Sequence, residues 1–159
     1  MSGNWFSESR NMELSLIYYL ETEIEKNWTG VSITKNFTKS YEVDPPVVCI
    51  NLLSDDVGRK EVGSDSLKHE YHLVINVFAT SDGQRIDLSD FIVNTLKTGC
   101  VYYIHSHKSG SSGELNRVAD GRMRIVDFIN NSKIEIGSEK DLDIHDKYRH
   151  NIYIKAVKS

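Results

Sequence analysis

Near the middle of the chain lies the stretch Tyr71-His72-Leu73-Val74-Ile75-Asn76-Val77-Phe78-Ala79, the strongest strand signal in the sequence. Successive side chains of a strand point to opposite faces of its sheet. The odd-numbered residues here are all apolar or aromatic, and the even-numbered ones include Val74 and Phe78. We therefore expect a strand that is covered on both faces.

A helix is predicted directly after this strand. Ser81 followed by Gln84 resembles a capping box, in which each side chain satisfies a backbone N–H left unpaired at a helix start. The helix should stop at Gly99, since glycine is favoured just past helix ends. Its apolar residues are Ile86, Leu88, Phe91, Ile92 and Leu96.

An earlier amphipathic helix is predicted over Asn11 to Asn27, with Thr29 and Gly30 ending it. Its apolar residues recur at helical spacing: Leu14, Ile17, Tyr18, Ile24 and Trp28. Residues 1–10 are read as an N-terminal arm, and Trp5 and Phe6 stand on it.

The remaining pattern predicts further strands separated by polar loops. The strands are Val47 to Leu53, Val101 to Ile104, Arg122 to Phe128 continuing after a turn at Asn130-Asn131, and Tyr148 to Val157. The loops are Ser54 to Ser66 and His105 to Gly121. This order of elements predicts a single α+β domain over residues 11–159, a mostly antiparallel or mixed sheet with two main helices packed on one face.

Charge and cysteine content narrow the class of protein. The 159 residues carry 23 acids against 19 bases, for a net charge of −4, without the basic excess expected of a free nucleic-acid binder. Cys49 and Cys100 stand in apolar stretches and read as small buried residues in a reducing compartment. We find no signal-peptide pattern and no apolar run long enough to span a membrane, which predicts a protein that stays in the cytosol.

Two histidine pairs are tested as metal ligands. His69 and His72 do not match the HExxH zinc motif, and residues three apart in a strand point to opposite faces. His105-Ser106-His107 resembles the histidine pair of the JAMM metalloproteases. That family adds a third ligand from a serine-x-x-aspartate element, but Leu115 stands where its serine would be. A hydrolase using His105 and His107 is kept as an alternative.

Other catalytic patterns are missing from the sequence. We find neither a G-x-S-x-G elbow nor a phosphate-binding glycine motif. The acids Glu139, Asp141, Asp143 and Asp146 lack the glycine and glutamate positions of a calcium loop, and they read as a solvated acidic loop. The sequence therefore predicts no catalytic residue, metal ligand or cofactor, and a protein that is not an enzyme.

As a whole, the layout resembles the tail-terminator and neck proteins of tailed bacteriophages, including head–tail joining and tail-completion proteins. The resemblance lies in the first amphipathic helix, the strand Pro45-Pro46-Val47-Val48-Cys49-Ile50, the central strand running into its helix, and the closing strand Tyr148 to Ile154. It covers Asn11 to Lys158 but does not separate those types. A non-catalytic bacterial adaptor domain that adds a peptide strand to its sheet edge is a further alternative.

The resemblance implies a homo-hexameric ring between the last ring of the tail tube and the head-side connector of the virion, assembled in the host cytoplasm. Its partners would be further copies of itself, the tail-tube protein, the connector proteins and, non-specifically, DNA in the lumen, with no membrane. The candidate contact residues are Trp5, Phe6, Arg59, Lys60, Lys108, Arg117, Arg122 and Arg124.

Overall fold

The computed structural model describes residues 5–63, 65–108, 113–135 and 144–159. The strands are β1 (Ser32–Thr34), β2 (Val47–Arg59), β3 (Leu67–Phe78), β4 (Cys100–His107), β5 (Leu115–Ile134) and β6 (Arg149–Lys158). The helices are α1 (Glu8–Asn27), α2 (Phe37–Ser40), α3 (Asp82–Leu96) and α4 (Ile144–Lys147).

All six strands belong to one mixed sheet, in the order β1-β2-β3-β6-β5-β4. Only β1 and β2 run parallel, and every other neighbouring pair is antiparallel. The predicted central strand is β3, which lies between β2 and β6. The α+β architecture predicted from the sequence is confirmed.

The core lies between the sheet and the two long helices, α1 and α3. β3 and β6 contribute alternate residues such as Leu73, Ile75 and Ile152, as their apolar alternation predicted. A smaller cluster on the opposite face contains Val47, Cys49 and Phe78, so β3 is covered on both faces as expected. Both cysteines are buried and unpaired.

The buried face of α1 differs from the predicted one. Its buried apolar residues recur every four positions: Met12, Leu16, Leu20 and Ile24. Leu14 and Ile17 are only half-buried, and Tyr18 is exposed. The sequence pattern allowed either stripe, and contacts with β4 and β2 decide which one faces the sheet.

The first turn of α1 was also missed. The helix begins at Glu8 rather than Asn11, because the Ser7 hydroxyl caps it by accepting a hydrogen bond from the Arg10 N–H at 3.3 Å. It ends at Asn27 as predicted.

The start of α3 follows the predicted cap in part. The Ser81 hydroxyl accepts a hydrogen bond from the Gln84 N–H at 3.1 Å. The Gln84 side chain accepts from the Thr80 N–H instead of that of Ser81. Assigning Ile86 to the apolar face was wrong, since it is exposed at the first turns of the helix.

Several predicted loops and turns are strand. The predicted loop from Ser54 to Ser66 is mostly hairpin, because β2 continues to Arg59 and pairs with β3. β4 and β5 likewise enter the predicted loop from His105 to Gly121 at both ends. Asn130 and Asn131 form no turn but pair with Tyr153 and Ile152 of β6, directly after a register shift between Phe128 and Asn130. Most residues of these segments are exposed, apart from the buried His105 and Ser106 of β4, so ladder hydrogen bonds hold them as strands without an apolar alternation to mark them.

Candidate functional site

The outer edge of β2 is largely uncovered. Its neighbour β1 pairs only with Val47, Val48 and Cys49, although β2 continues to Arg59. Within the described ranges no strand pairs with the outer edge from Ile50 onward. The carboxylate of Glu13 in α1 accepts a hydrogen bond from the Leu52 N–H at 2.7 Å, which satisfies one group of that edge. A long open edge is a template for pairing with another chain.

Apolar side chains are exposed along the same hairpin. They are Leu53, Val57, Val62 and Leu67. Val57 is 53% exposed and lies on the uncovered part of β2. An exposed apolar row beside an open edge is a feature of an interaction surface.

Two histidine–aspartate pairs tie the strands of the hairpin together. His69 Nδ1 lies 2.7 Å from an Asp55 carboxylate oxygen, and His72 Nε2 lies 2.7 Å from one of Asp56. Each histidine of this sequence pair therefore has its own carboxylate across the ladder. These two contacts join β2 to β3 in the exposed part of the hairpin.

A groove of about 770 Å³ opens where β3 separates from β6. The two strands pair from Tyr71 and Ala156 onward, so the backbone of Leu67 to Glu70 has no ladder partner in β6. The residues that line this groove are Glu8, Lys60, Leu67, Lys68, His69, Arg124, Val157, Lys158 and Ser159. We call this cavity the basic groove, because four of its residues are lysine or arginine and one is a carboxylate.

The cations of the basic groove differ in their partners. Lys68 forms an ion pair with Glu70 at 3.3 Å, and Lys158 forms one with Asp120 at 3.3 Å. Over the ranges that the structure describes, Lys60 and Arg124 have no ion-pair partner. The groove therefore keeps positive charge that can meet an anionic ligand.

One wall of the basic groove is fixed by a contact between β3 and α1. The buried Tyr71 hydroxyl donates a hydrogen bond of 2.6 Å to the Glu8 carboxylate. Burial, followed by this carboxylate, raises the pKa of Tyr71, so the phenol stays protonated. The contact ties the start of α1 to the sheet.

The N-terminal arm lies on its own chain. Phe6 donates a backbone hydrogen bond of 3.1 Å to the His105 carbonyl, and Trp5 bridges to Ser106. The side-chain oxygen Oδ1 of the buried Asn11 accepts hydrogen bonds from both the backbone N–H and the Nδ1–H of His105, each at 3.0 Å. The arm thus covers part of the β4 edge, and Trp5 remains 53% exposed for an outside contact.

His105 and His107 are placed in different environments. His105 is fully buried, and burial, then Arg117, lowers its pKa. The exposed His107 ring packs edge-on against Phe6, with the centroids 4.9 Å apart. Across the described part of the chain, no group of three histidine, cysteine or acidic side chains is placed to hold a metal ion.

The other predicted contact residues are scattered. Arg59 pairs with Asp65 at 3.7 Å at the hairpin tip, and Lys108 pairs with Glu114 at 3.2 Å. The Arg117 guanidinium lies 4.1 Å from the Tyr18 ring centroid, and Arg122 donates to the Thr98 carbonyl at 3.0 Å.

Of the predicted cations, the structure brings only Lys60 and Arg124 together, in the basic groove. Sequence reasoning missed Lys68 and Lys158, which complete this set from two other strands. It also missed the open edge of β2, since neither feature has a local signal. Of the predicted acidic loop, Glu139, Asp141 and Asp143 lie outside the described residues. Asp146 lies in α4.

A second cavity of about 280 Å³ lies beside α1. Tyr18, Tyr19, Cys100, Tyr103 and Arg122 contribute to its wall. Burial raises the pKa of the Cys100 thiol to about 12, so the thiol is not ionised at neutral pH. A protonated thiol is a poor nucleophile.

No protein-family model matches the sequence, and no curated protein matches it. Among the described helices, none is both long and apolar enough to cross a lipid bilayer.

Proposed function

We propose that this chain is a structural subunit that joins further copies of itself through the open edge of β2. The observation that carries the proposal is the outer edge of β2 from Ile50 to Arg59, with which no described strand pairs, together with the exposed side chain of Val57 on that stretch. Charged side chains can blunt such an edge, but here the carboxylates of Asp55 and Asp56 bind His69 and His72 across the hairpin. Pairing with another subunit removes the exposed backbone groups from water and completes their hydrogen bonds.

The assembly that we propose is a closed ring, of the kind that the sequence resemblance implies for tailed-phage tail terminators and neck proteins. One patch of each subunit meets a different patch of the next, and rotation closes the chain of contacts. In this proposal the ring, a hexamer, belongs to the virion, is assembled in the host cytoplasm and joins the tail tube to the head-side connector. The described hairpin and the exposed Trp5 supply surfaces for those neighbours.

The hydrolase alternative receives no support from the described geometry. His105 is hydrogen-bonded to Asn11, and His107 packs on Phe6. The adaptor alternative uses the same open edge but would pair it with a peptide of another protein. The ring proposal predicts an oligomer of this chain, whereas the adaptor alternative predicts a monomer or a dimer.

Native mass spectrometry of the purified chain over a range of concentrations tests the proposal. We expect a closed oligomer, and Val57→Lys should shift it toward monomer because a charged side chain opposes edge pairing. The control is Val118→Lys, since Val118 is equally exposed at 54% but lies on the interior strand β5. Equal effects of both substitutions would remove the β2 edge from the interface.

A tail terminator can stay monomeric until it meets the tube, so the same pair of variants should also be tested during virion assembly. If tail-tube and connector genes lie beside this gene, co-expression should place the protein at one end of the tube by electron microscopy. Tubes that end without this protein would contradict the phage assignment.

A further inference from the structure

The basic groove has a candidate occupant within the same sequence. The segment of residues 135–143 carries the acids Glu135, Glu139, Asp141 and Asp143 against one base, Lys140. We call it the acidic segment. Of its residues, only Glu135 lies in the described part of the chain, where it follows the end of β5.

The basic groove and the acidic segment lie at opposite ends of β6. The groove is lined by the last residues of β6 and by Ser159. The described residues that flank the acidic segment lie beside the first residue of β6, because Ile134 pairs with Arg149 and α4 directly precedes that strand. Each subunit therefore has a basic end and an acidic end.

The acidic segment cannot fill the groove of its own chain. The strand from Arg149 to Lys158 separates the two ends by about 30 Å, at about 3.3 Å per residue. Whatever its conformation, a chain between residues 135 and 144 is long enough to place its residues at most about 15 Å from those two flanking positions. The complementary charges can consequently meet only between two copies.

We propose that the basic groove receives the acidic segment of a neighbouring copy. The proposal rests on the proposed ring, and it names the chemistry of a contact between its subunits. Each subunit presents the basic groove to one neighbour and the acidic segment to the other, a head-to-tail arrangement that suits a ring.

Peptide binding to the full-length chain tests the groove directly. A fluorescent peptide with the sequence of residues 133–146 should bind, and its affinity should fall as salt is raised. The double variant Lys60→Glu/Arg124→Glu should weaken binding about ten-fold or more, since each attractive charge becomes repulsive. Neither side chain has an ion-pair partner among the described residues, so the reversal should leave the fold intact, which circular dichroism can check.

Two controls isolate the groove from net charge. Lys35→Glu/Lys97→Glu changes the charge by the same amount at exposed positions outside the groove and should bind the peptide as the wild type does. A peptide with Glu139→Gln, Asp141→Asn and Asp143→Asn should not bind. Equal affinity for this neutral peptide, or unchanged affinity of the groove variant, overturns the proposal. So does duplex DNA that displaces the peptide at lower concentration and depends on Lys60 and Arg124, because it assigns the groove to nucleic acid.

Charge exchange between full-length chains gives a second test. The groove variant and a segment variant, Glu139→Lys/Asp141→Lys/Asp143→Lys, should each lose self-assembly. Their mixture should regain it, because the reversed segment of one fits the reversed groove of the other. Rings that form normally from the groove variant alone overturn the groove contact while leaving the ring intact. Specific peptide binding by a chain that never assembles, even on tail tubes, would instead support the pairing and remove the ring.

Discussion

The guanidinium of Arg85 in α3 donates a hydrogen bond of 2.7 Å to Nδ1 of His150 in β6. Because His150 accepts at Nδ1, its proton is assigned to Nε2, which donates to the side-chain carbonyl of Asn131 in β5. Asp82 binds the same guanidinium at 3.0 Å. This network, buried at Arg85 and His150, joins the helix layer to two strands, and it requires a neutral imidazole.

Acid should therefore weaken the fold through His150. Burial, then the Arg85 charge, lowers the pKa of His150 from 6.5 to about 4. The fold binds the neutral form, so this contribution is complete above pH 6.5 and is lost as the pH falls toward 4. We expect the free energy of unfolding to drop by about 2 to 3 kcal/mol over that window. Urea unfolding at several pH values measures it.

The matched variants for this measurement are His150→Gln and His107→Gln. The first should flatten the pH dependence, because the buried titrating group is gone, although His105 still contributes in the same direction. The second alters an exposed histidine and should keep the wild-type slope. A wild-type slope in His150→Gln would exclude this residue as the source.

Removal of the Asn11 side chain should release the arm from β4. Asn11→Ala loses two hydrogen bonds to His105 and one to the Phe6 carbonyl, and it leaves a buried N–H unpaired. We expect a loss of about 2 to 3 kcal/mol in unfolding free energy and faster proteolysis of the arm. Asn94→Ala, at an exposed position in α3, should cost far less. Equal losses in the two variants would contradict the role given to Asn11.

Gly99 should tolerate no side chain. Its φ is +73°, and a Cβ there would lie 2.3 Å from the Met123 carbonyl oxygen. Gly99→Ala should lower the free energy of unfolding by about 2 kcal/mol or more, since it adds backbone strain to a clash with β5. Gly83→Ala meets no atom within 4 Å in the first turn of α3 and should be neutral or slightly stabilising. Thermal unfolding of both variants checks this contrast.

Tyr71→Phe should loosen the start of α1. The substitution removes the hydrogen bond to Glu8 but keeps the ring in the core. We expect a loss of about 1 kcal/mol, with faster hydrogen exchange in the first turn of α1. Unchanged exchange in that turn would mean that Ser7 and the core contacts hold it without Tyr71.

The elements that bury one face were predicted from the sequence, because burial of one face leaves apolar residues at regular spacing. β3 and β6 alternate apolar residues against the core, and Ser81 marks the start of α3 through its cap. The outer half of β2 has no such pattern, because both of its faces meet water and only β3 holds it. Asn130 and Asn131 are turn-forming residues, yet they pair with β6 just after a register shift, since this pairing outweighs their local preference.

The candidate surfaces were harder to predict for a similar reason. The cations of the basic groove come from the hairpin, β3, β5 and β6, which are far apart along the chain. Nothing near Lys60 in sequence indicates that Arg124 lies across the same cavity. The open edge of β2 depends on the length of β1, a property of the assembled sheet.

Hydrogen exchange of the purified protein, monomeric and assembled, tests the central claim most directly. If the open edge of β2 is the subunit contact, amides between Ile50 and Arg59 that exchange freely in the monomer should become protected on assembly. Amides of the interior strand β5 should change little. Assemblies in which these β2 amides still exchange at the monomer rate would contradict the account.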